Sequence, residues 1–98
     1  MNTAKNITTF NLGQVVCTPS INNDVSNNEI FAFEVMKALS QYQLRQWGNT
    51  CPEDAKANDD AIMYGDSVLA EYSTSKGIIW IQTEWDRSCT TILYPDEY

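Results

Sequence analysis

The sequence predicts a small α+β domain, in which one antiparallel sheet carries two helices packed on one of its faces. The hydrophobic pattern has a helical period before Ser67 and a period of two after it. A length of 98 residues suffices for one core and is too short for two. The composition, 43% hydrophobic and 11% aromatic, is rich enough to form that core. We therefore expect residues 1–98 to form a single domain.

The N-terminal part of the chain predicts an arm, a strand and a loop. Residues 1–11 are polar with two apolar anchors, and we expect a loose arm there. The segment GQVVCT, residues 13–18, is rich in β-branched residues and predicts the N-terminal strand of the sheet. Pro19 ends this strand, because proline cannot donate to a β ladder. The Asn- and Ser-rich residues 20–28 then predict a loop.

The spacing of Ser26 and Glu29 is that of a capping box and predicts the start of the first helix. Apolar residues then recur every three or four positions, which predicts a mostly buried helix. The stripe consists of Phe31, Val35, Ala38, Leu39 and Tyr42, widened by Ile30, Phe33 and Met36. We expect the helix to end between Leu44 and Trp47, where Gly48 can adopt the left-handed conformation that closes a helix.

Thr50 and Glu53 repeat the capping-box spacing, and Pro52 suits a first helical turn. The second helix is therefore predicted to start at Cys51 and to end at Gly65. Its apolar face is thin and consists of Ala55, Asn58, Ala61 and Ile62.

Three strands follow, SVLAEYS, IIWIQTEW and SCTTILY, separated by the turn TSKG and the corner DR. They predict an antiparallel meander. The middle strand has bulky apolar residues on both faces, which is expected of a central strand covered on one side by helices. One face carries Ile79, Ile81, Thr83 and Trp85, and the other carries Ile78, Trp80, Gln82 and Glu84.

Charge and composition exclude several classes of function. The net charge of -7 disfavours direct binding to nucleic acids or to anionic membranes. The sequence has no secretory signal core and no apolar run of about 20 residues, so we expect a cytoplasmic protein that does not interact with membranes. Histidine is absent, which excludes His-based triads and His metal ligands.

The cysteines predict neither a disulfide framework nor a metal site. Cys17, Cys51 and Cys89 are odd in number, far apart and without CxxC spacing. We expect reduced, structural thiols, because free cysteine is readily buried as a small apolar residue. No pattern in the sequence indicates a cofactor or a bound metal.

Four segments, NLGQVVCTP, QWGNTCPEDAKANDDA, YGDSVLAEYS and IIWIQTEWDRSCTTILYPDEY, occur in an order that resembles a family of small proteins carried in bacterial plasmid and mobile-element gene sets. Members are often labelled type I restriction endonuclease subunit M. The resemblance runs from Leu12 to Tyr98 and is most specific in the C-terminal pattern IW-I-TE-DRS-TT-L-P-EY. It implies an accessory protein of a mobile element.

The sequence does not support the methyltransferase activity in that label. The chain has neither a Gly-rich turn after a first strand nor an Asn/Asp-Pro-Pro-aromatic motif, and it is too short for a doubly wound domain. Where the family pattern reads His-x-x-Gly-Asp-Trp-Gly, residues 42–48 read Tyr-Gln-Leu-Arg-Gln-Trp-Gly. This segment lacks the imidazole and the carboxylate, so we assign it no catalytic role.

The candidate binding surface combines the last hairpin corner with the C-terminal tail. Its residues are Glu84, Trp85, Asp86, Arg87, Ser88, Thr90, Glu97 and Tyr98. Polar residues dominate this distinctive motif, and polar loops on a rigid sheet commonly bind partners. The alternative is that Asp86, Arg87 and Glu97 tie the hairpin and the C-terminus together. Of the three tryptophans, we expect Trp85 to be the most exposed.

Three functions remain open at this point. The first is a non-catalytic interaction module that binds another protein, whose identity the sequence does not reveal. The second is an acidic anti-restriction inhibitor that mimics DNA. Its carboxylates would be Asp54, Asp59, Asp60, Asp66, Asp96 and Glu97. The third is an enzyme of unknown type, but no general acid or base is assigned, because the adjacent carboxylates of a helix point about 100° apart.

Overall fold

The computed structural model describes residues 9–98, over which the chain forms four strands and three α-helices. In chain order these are β1 (Gln14–Cys17), α1 (Pro19–Asn27), α2 (Glu29–Gln43), α3 (Pro52–Tyr64), β2 (Val68–Thr74), β3 (Gly77–Thr83) and β4 (Cys89–Leu93), followed by a 3₁₀ turn (Pro95–Glu97). The strand order is β1-β4-β3-β2, so β3 is a central strand as predicted. The α+β class and the packing of the helices on one face of the sheet are confirmed.

β1 departs from the predicted antiparallel sheet. The meander of β2, β3 and β4 is antiparallel, but β1 runs parallel to β4, with Gln14 opposite Cys89 and Cys17 opposite Ile92. Parallel neighbours need a long crossover, and here α1, α2, α3 and the other two strands separate β1 from β4 along the chain. No short turn fixes the polarity of this pair, so the local sequence does not reveal it.

The core lies between one face of the sheet and the helices. Strand residues alternate, so that every second side chain of β2, β3 and β4 is buried. The sheet contributes Val68, Ala70, Tyr72, Ile79, Ile81 and Ile92, and the helices contribute Ile21, Phe31, Val35, Ala38, Tyr42 and Ala61. Burying each large aliphatic side chain contributes about 1.5–3 kcal/mol.

Residues 1–8 of the predicted N-terminal arm lie outside the described residues. At the end of the predicted arm, Phe10 is buried in the core, as is Leu12 just beyond it. The Phe10 ring packs edge-on against Tyr42, with 5.3 Å between ring centroids. Phe10 therefore serves as one of the two apolar anchors predicted for the arm.

α1 occupies the segment for which a loop was predicted. The side chain of Thr18 caps the helix by accepting from the Ile21 amide at 3.4 Å, and Pro19 forms the first turn instead of only ending the strand. Ile21 is fully buried and anchors the helix to the core. This cap and this anchor outweigh the turn preference of the asparagines. Ser26 lies inside α1, where its hydroxyl donates to the Asn22 carbonyl at 2.9 Å.

α2 begins later and ends earlier than predicted. The Asn28 side chain, and not Ser26, caps it by accepting from the Phe31 amide at 3.0 Å. The helix ends at Gln43, and Arg45 then adopts a left-handed conformation with φ 64°, before Gly48 is reached. The predicted stripe is buried except at Leu39, which is half-buried, but the residues expected to widen the stripe are exposed. Ile30, Phe33 and Met36 are 68%, 70% and 69% exposed and form an apolar row, called here the α2 row.

α3 starts at Pro52 without the predicted capping box. The Thr50 hydroxyl instead donates to the Trp47 carbonyl at 2.5 Å and accepts from the Glu71 amide at 2.9 Å. The C-terminal stop at Gly65 is confirmed, with φ 85° and its amide donating to Ala61 at 2.8 Å.

The outer edge of β2 is covered by side chains and by the segment before α3. The side-chain amide of the buried Asn58 donates to the backbone carbonyl of Leu69 at 2.8 Å and accepts from the backbone N–H of Leu69 at 3.2 Å. It thereby takes the place of a neighbouring strand. The Asn49 amide donates to the Glu71 carbonyl at 2.8 Å, beside the Gly48–Glu71 bridge. Together with the Thr50 contact, these bonds satisfy the outward backbone groups of Leu69 and Glu71.

The three cysteines are free thiols, but two of them are not buried. Cys17 and Cys51 are exposed, and Cys89 is half-buried, so the expectation of core thiols is wrong for the first two. Within residues 9–98, none of the helices combines the length and the apolar character needed to cross a membrane.

Candidate functional site: the corner between β3 and β4

The corner formed by residues 84–88 is a tight, internally bonded turn. The Glu84 amide donates to the Cys89 carbonyl at 3.0 Å, and the Arg87 amide donates to the Glu84 carbonyl at 2.9 Å. The Asp86 carboxylate accepts from the Ser88 hydroxyl at 2.6 Å and from the Ser88 amide at 3.1 Å. These two bonds, the hydroxyl first, lower the pKa of Asp86. The backbone of the corner is therefore well determined.

The Arg87 side chain fastens this corner to the end of α3. Its guanidinium donates to the carbonyls of Ala61 and Asp66, at 3.0 and 2.7 Å. It also donates to the carbonyls of Glu84 and Trp85 within the corner, at 3.0 and 3.2 Å. A cation is favourable at this position, because the last carbonyls of a helix carry partial negative charge. The structure thus gives Arg87 a structural contact, as the alternative interpretation of the motif expected.

Three large apolar side chains lie exposed on the two segments that Arg87 joins. Trp85 is 65% exposed, and Met63 and Tyr64 in the last turn of α3 are 73% and 76% exposed. We call these three residues the corner patch. The exposed carboxylates of Asp66, Glu84 and Asp86 come from the same two segments. The two segments that Arg87 joins therefore present both exposed apolar side chains and exposed carboxylates.

Met63 and Tyr64 were not among the predicted site residues. A signal for them is present in the sequence, because both lie off the thin apolar face of α3 and directly before the helix-ending Gly65. Large apolar residues at helix positions that the core does not use indicate an exposed surface. Their relation to Trp85 depends on the tertiary contact that Arg87 makes between the two segments.

Thr90 of the predicted surface lies in the core. Its hydroxyl donates to the Leu12 carbonyl at 2.7 Å and accepts from the Thr83 hydroxyl at 2.7 Å. Thr83 in turn accepts from the Tyr42 hydroxyl at 2.7 Å. The direction of this chain follows from Leu12, whose carbonyl can only accept. Burial raises the pKa of Tyr42 well above its ordinary value, so that the phenol stays protonated and donates.

The C-terminal tail lies at the other end of β4 from the corner. The Glu97 carboxylate accepts from the Tyr94 amide at 2.8 Å and from the Thr18 hydroxyl at 2.9 Å, and these bonds, the amide first, lower the pKa of Glu97. The exposed Tyr98 ring packs edge-on against Trp80, with 5.3 Å between centroids. A five-residue strand spans roughly 13–17 Å, so the structure separates the corner from the tail instead of joining them.

The tryptophans occupy three different environments. Trp47 is buried in the core and donates to Asp59 at 3.1 Å. Trp80 is half-buried on the face of the sheet away from the helices and donates to Glu71 at 3.1 Å. Trp85 is the most exposed, as predicted.

A separate open cleft of about 340 Å³ lies between α2 and β2. Its lining includes Glu34, Lys37, Gln41, Asn49 and Ser73. Glu34 is already bonded, since its carboxylate accepts from the Ser75 amide at 3.0 Å and from the Ser75 hydroxyl at 2.7 Å. Across the described part of the chain, no three His, Cys, Asp or Glu side chains are placed to hold a metal ion.

No protein-family model, curated protein or solved structure matches the chain. The relationship to mobile-element proteins therefore stays a prediction from sequence resemblance. The class of function has to be inferred from the corner patch and the surfaces around it.

Proposed function

We propose that the chain is a non-catalytic protein-interaction module, and that it binds its partner through the corner patch. The observation that carries this proposal is the exposure of Met63, Tyr64 and Trp85 on segments that Arg87 holds together. Tyrosine and tryptophan are enriched among the residues that contribute most to protein–protein affinity. Because the backbone under them is already ordered, little conformational entropy is lost on binding.

The partner's chemistry follows from the charges on the same two segments. Asp66, Glu84 and Asp86 are exposed there, and the whole chain carries a net charge of -7. A partner surface with an apolar centre and Lys or Arg at its rim complements this arrangement. Charges at a rim act mainly on the association rate, and salt screens them.

The family resemblance adds a biological setting to this proposal. We infer an accessory protein of a mobile element, which acts on a protein of the element or of its bacterial host. The acidic surface is also compatible with an anti-restriction inhibitor, because a DNA-binding nuclease has a basic surface that acidic side chains can contact. In that case the captured partner is a nuclease, and DNA competes with the chain for it. The experiment below tests this alternative as well.

The experiment compares two exposed aromatic residues on different surfaces. The tagged chain is used to capture partners from the native bacterial host, with Trp85→Ala as the test variant and Phe33→Ala, in the α2 row, as the matched control. Any captured protein is then purified and titrated against all three chains by surface plasmon resonance. We expect Trp85→Ala to weaken binding at least about tenfold, Phe33→Ala to leave it unchanged, and association to slow as salt rises.

Two outcomes contradict the proposal. A partner that binds wild type and Trp85→Ala equally well does not use the corner patch. A partner lost with Phe33→Ala and retained with Trp85→Ala assigns the docking surface to the α2 row. Arg87 is left unchanged in this experiment, because its side chain also holds the corner against α3.

A further inference from the structure

β1 forms the sheet edge opposite to β2 and has one side of its backbone unbonded. The amides of Gln14 and Thr18 donate to the Ser88 and Ile92 carbonyls of the β4 side, each at 3.1 Å. In a parallel ladder alternate residues bond to the same neighbour, so the N–H and C=O groups of Val15 and Cys17 point away from the sheet. Within residues 9–98 these four groups have no hydrogen-bond partner.

Within residues 9–98 this edge carries no charged side chain, bulge or covering segment, and its short length of four residues is the one protective feature of edge strands that it shows. All four residues of β1 are exposed, with Val15 at 40% and Val16 at 36%. Residues 9–23, which contain β1 and the start of α1, have no Asp, Glu, Lys or Arg. Natural sheet edges are commonly blocked by charged side chains, bulges or a covering segment. An apolar, uncharged and unbonded edge is therefore suited to adding a strand.

We propose that β1 pairs antiparallel with β1 of a second copy of the chain, which joins the two sheets into one. With the two-fold axis at Val16, Val15 lies opposite Cys17 of the second copy, and the two pairs make four backbone hydrogen bonds. Val16 then faces its own equivalent across the axis as a non-hydrogen-bonded pair, with Cα atoms about 4.5 Å apart.

The absence of charge at this edge permits a second copy as the added strand. Two chains of net charge -7 repel each other, and this repulsion is smallest where an uncharged surface faces its equivalent. A two-fold interface requires only that one surface be complementary to itself, and an antiparallel strand pair fulfils this condition. This interface uses different residues from the corner patch, so its test is independent of the proposed function.

The geometry is tested by cysteine cross-linking in a background with Cys17→Ser and Cys51→Ser, because both native thiols are exposed. Val16→Cys places two thiols across the axis at a separation that a disulfide can bridge, and we expect a covalent dimer on mild oxidation. Val15→Cys, one position away, is the matched control. Its two thiols belong to diagonal positions about 7–8 Å apart, so they should cross-link at least about tenfold less.

The solution state is tested by sedimentation velocity. We expect a dimer for the wild type, and a dimer dissociation constant at least about tenfold higher for Val15→Pro, which removes an outward donor and no bond to β4. Phe33→Ser should leave the dimer unchanged. A monomeric wild type, equal cross-linking at positions 15 and 16, or a dimer lost only with Phe33→Ser would overturn the proposal. If Val15→Pro fails to fold, the comparison of Val16→Cys with Val15→Cys still tests the proposed strand pairing.

Discussion

Replacing Arg87 should destabilise the fold through the contact between the corner and α3. The guanidinium donates to the Ala61 and Asp66 carbonyls on one side and to the Glu84 and Trp85 carbonyls on the other. A hydrogen bond to a charged group contributes about 1.5–3 kcal/mol, and partial exposure reduces this value. Since two of the four bonds cross between segments, we expect Arg87→Ala to lower the free energy of unfolding by about 2–4 kcal/mol.

The backbone conformation of Arg87 also affects the stability of its variants. Its φ of 62° lies in the left-handed region, which costs a non-glycine residue about 1–2 kcal/mol. Alanine keeps that cost, whereas glycine removes it. Arg87→Gly should therefore be more stable than Arg87→Ala by about 1 kcal/mol, which reverses the usual ranking of the two residues.

Urea unfolding followed by far-UV circular dichroism measures both effects. Arg87→Lys should fall between wild type and alanine, because a lysine ammonium does not reach carbonyls on two segments with a planar fork. An alanine variant as stable as the wild type would show that the contact is dispensable. A glycine variant less stable than alanine would show that the left-handed conformation does not determine the outcome.

Three further predictions concern the buried network, the tail and two glycines. Thr90→Val removes the donor to Leu12 and the acceptor for Thr83, and should lower the free energy of unfolding by about 2–4 kcal/mol in the same assay. Thr90→Ser keeps both bonds and should lower it by about 1 kcal/mol. The pKa of Glu97 is lowered in the folded state, so its carboxylate should stabilise the fold above the unfolded pKa, and this contribution should be lost as pH falls through the folded pKa. The urea midpoints of wild type and Glu97→Gln, measured from neutral to acid pH, should therefore converge in acid. Gly13→Ala should prevent folding or lower the free energy of unfolding by more than about 3 kcal/mol, because the added Cβ would lie 2.3 Å from the Arg87 carbonyl oxygen. The Cβ of Gly65→Ala meets no atom within 4 Å, so this variant should lose only about 1 kcal/mol. Thermal unfolding measures both.

The meander of β2, β3 and β4 could be predicted because its signals are local. Alternation along Ile78 to Thr83 places every second residue in the core, and short connections fix the antiparallel order. The parallel pairing of β1 could not be predicted, because nothing near Gln14–Cys17 encodes a neighbour more than 70 residues away. α1 was missed for a related reason, since the burial of Ile21 is a tertiary effect that local preferences do not contain.

The candidate site was predictable in part. The exposure of Trp85 and the turn at Asp86 follow from the position of DRS between two strands. The polar character of Thr90 favours the surface, but alternation along β4 directs its side chain into the core. Met63 and Tyr64 join the site through Arg87, and such a contact between distant segments is not visible in the sequence.

The side-chain amide of Asn58, which occupies the outer side of β2 at Leu69, also limits how the chain can aggregate. A sheet open at both edges can add strands indefinitely, as amyloid fibrils do. Here the positions at Leu69 and Glu71 are already occupied by bonds from within the same chain. If a second chain is added at β1 as proposed, a third chain would find no free backbone groups at Leu69 and Glu71, and growth of the sheet through those positions would stop.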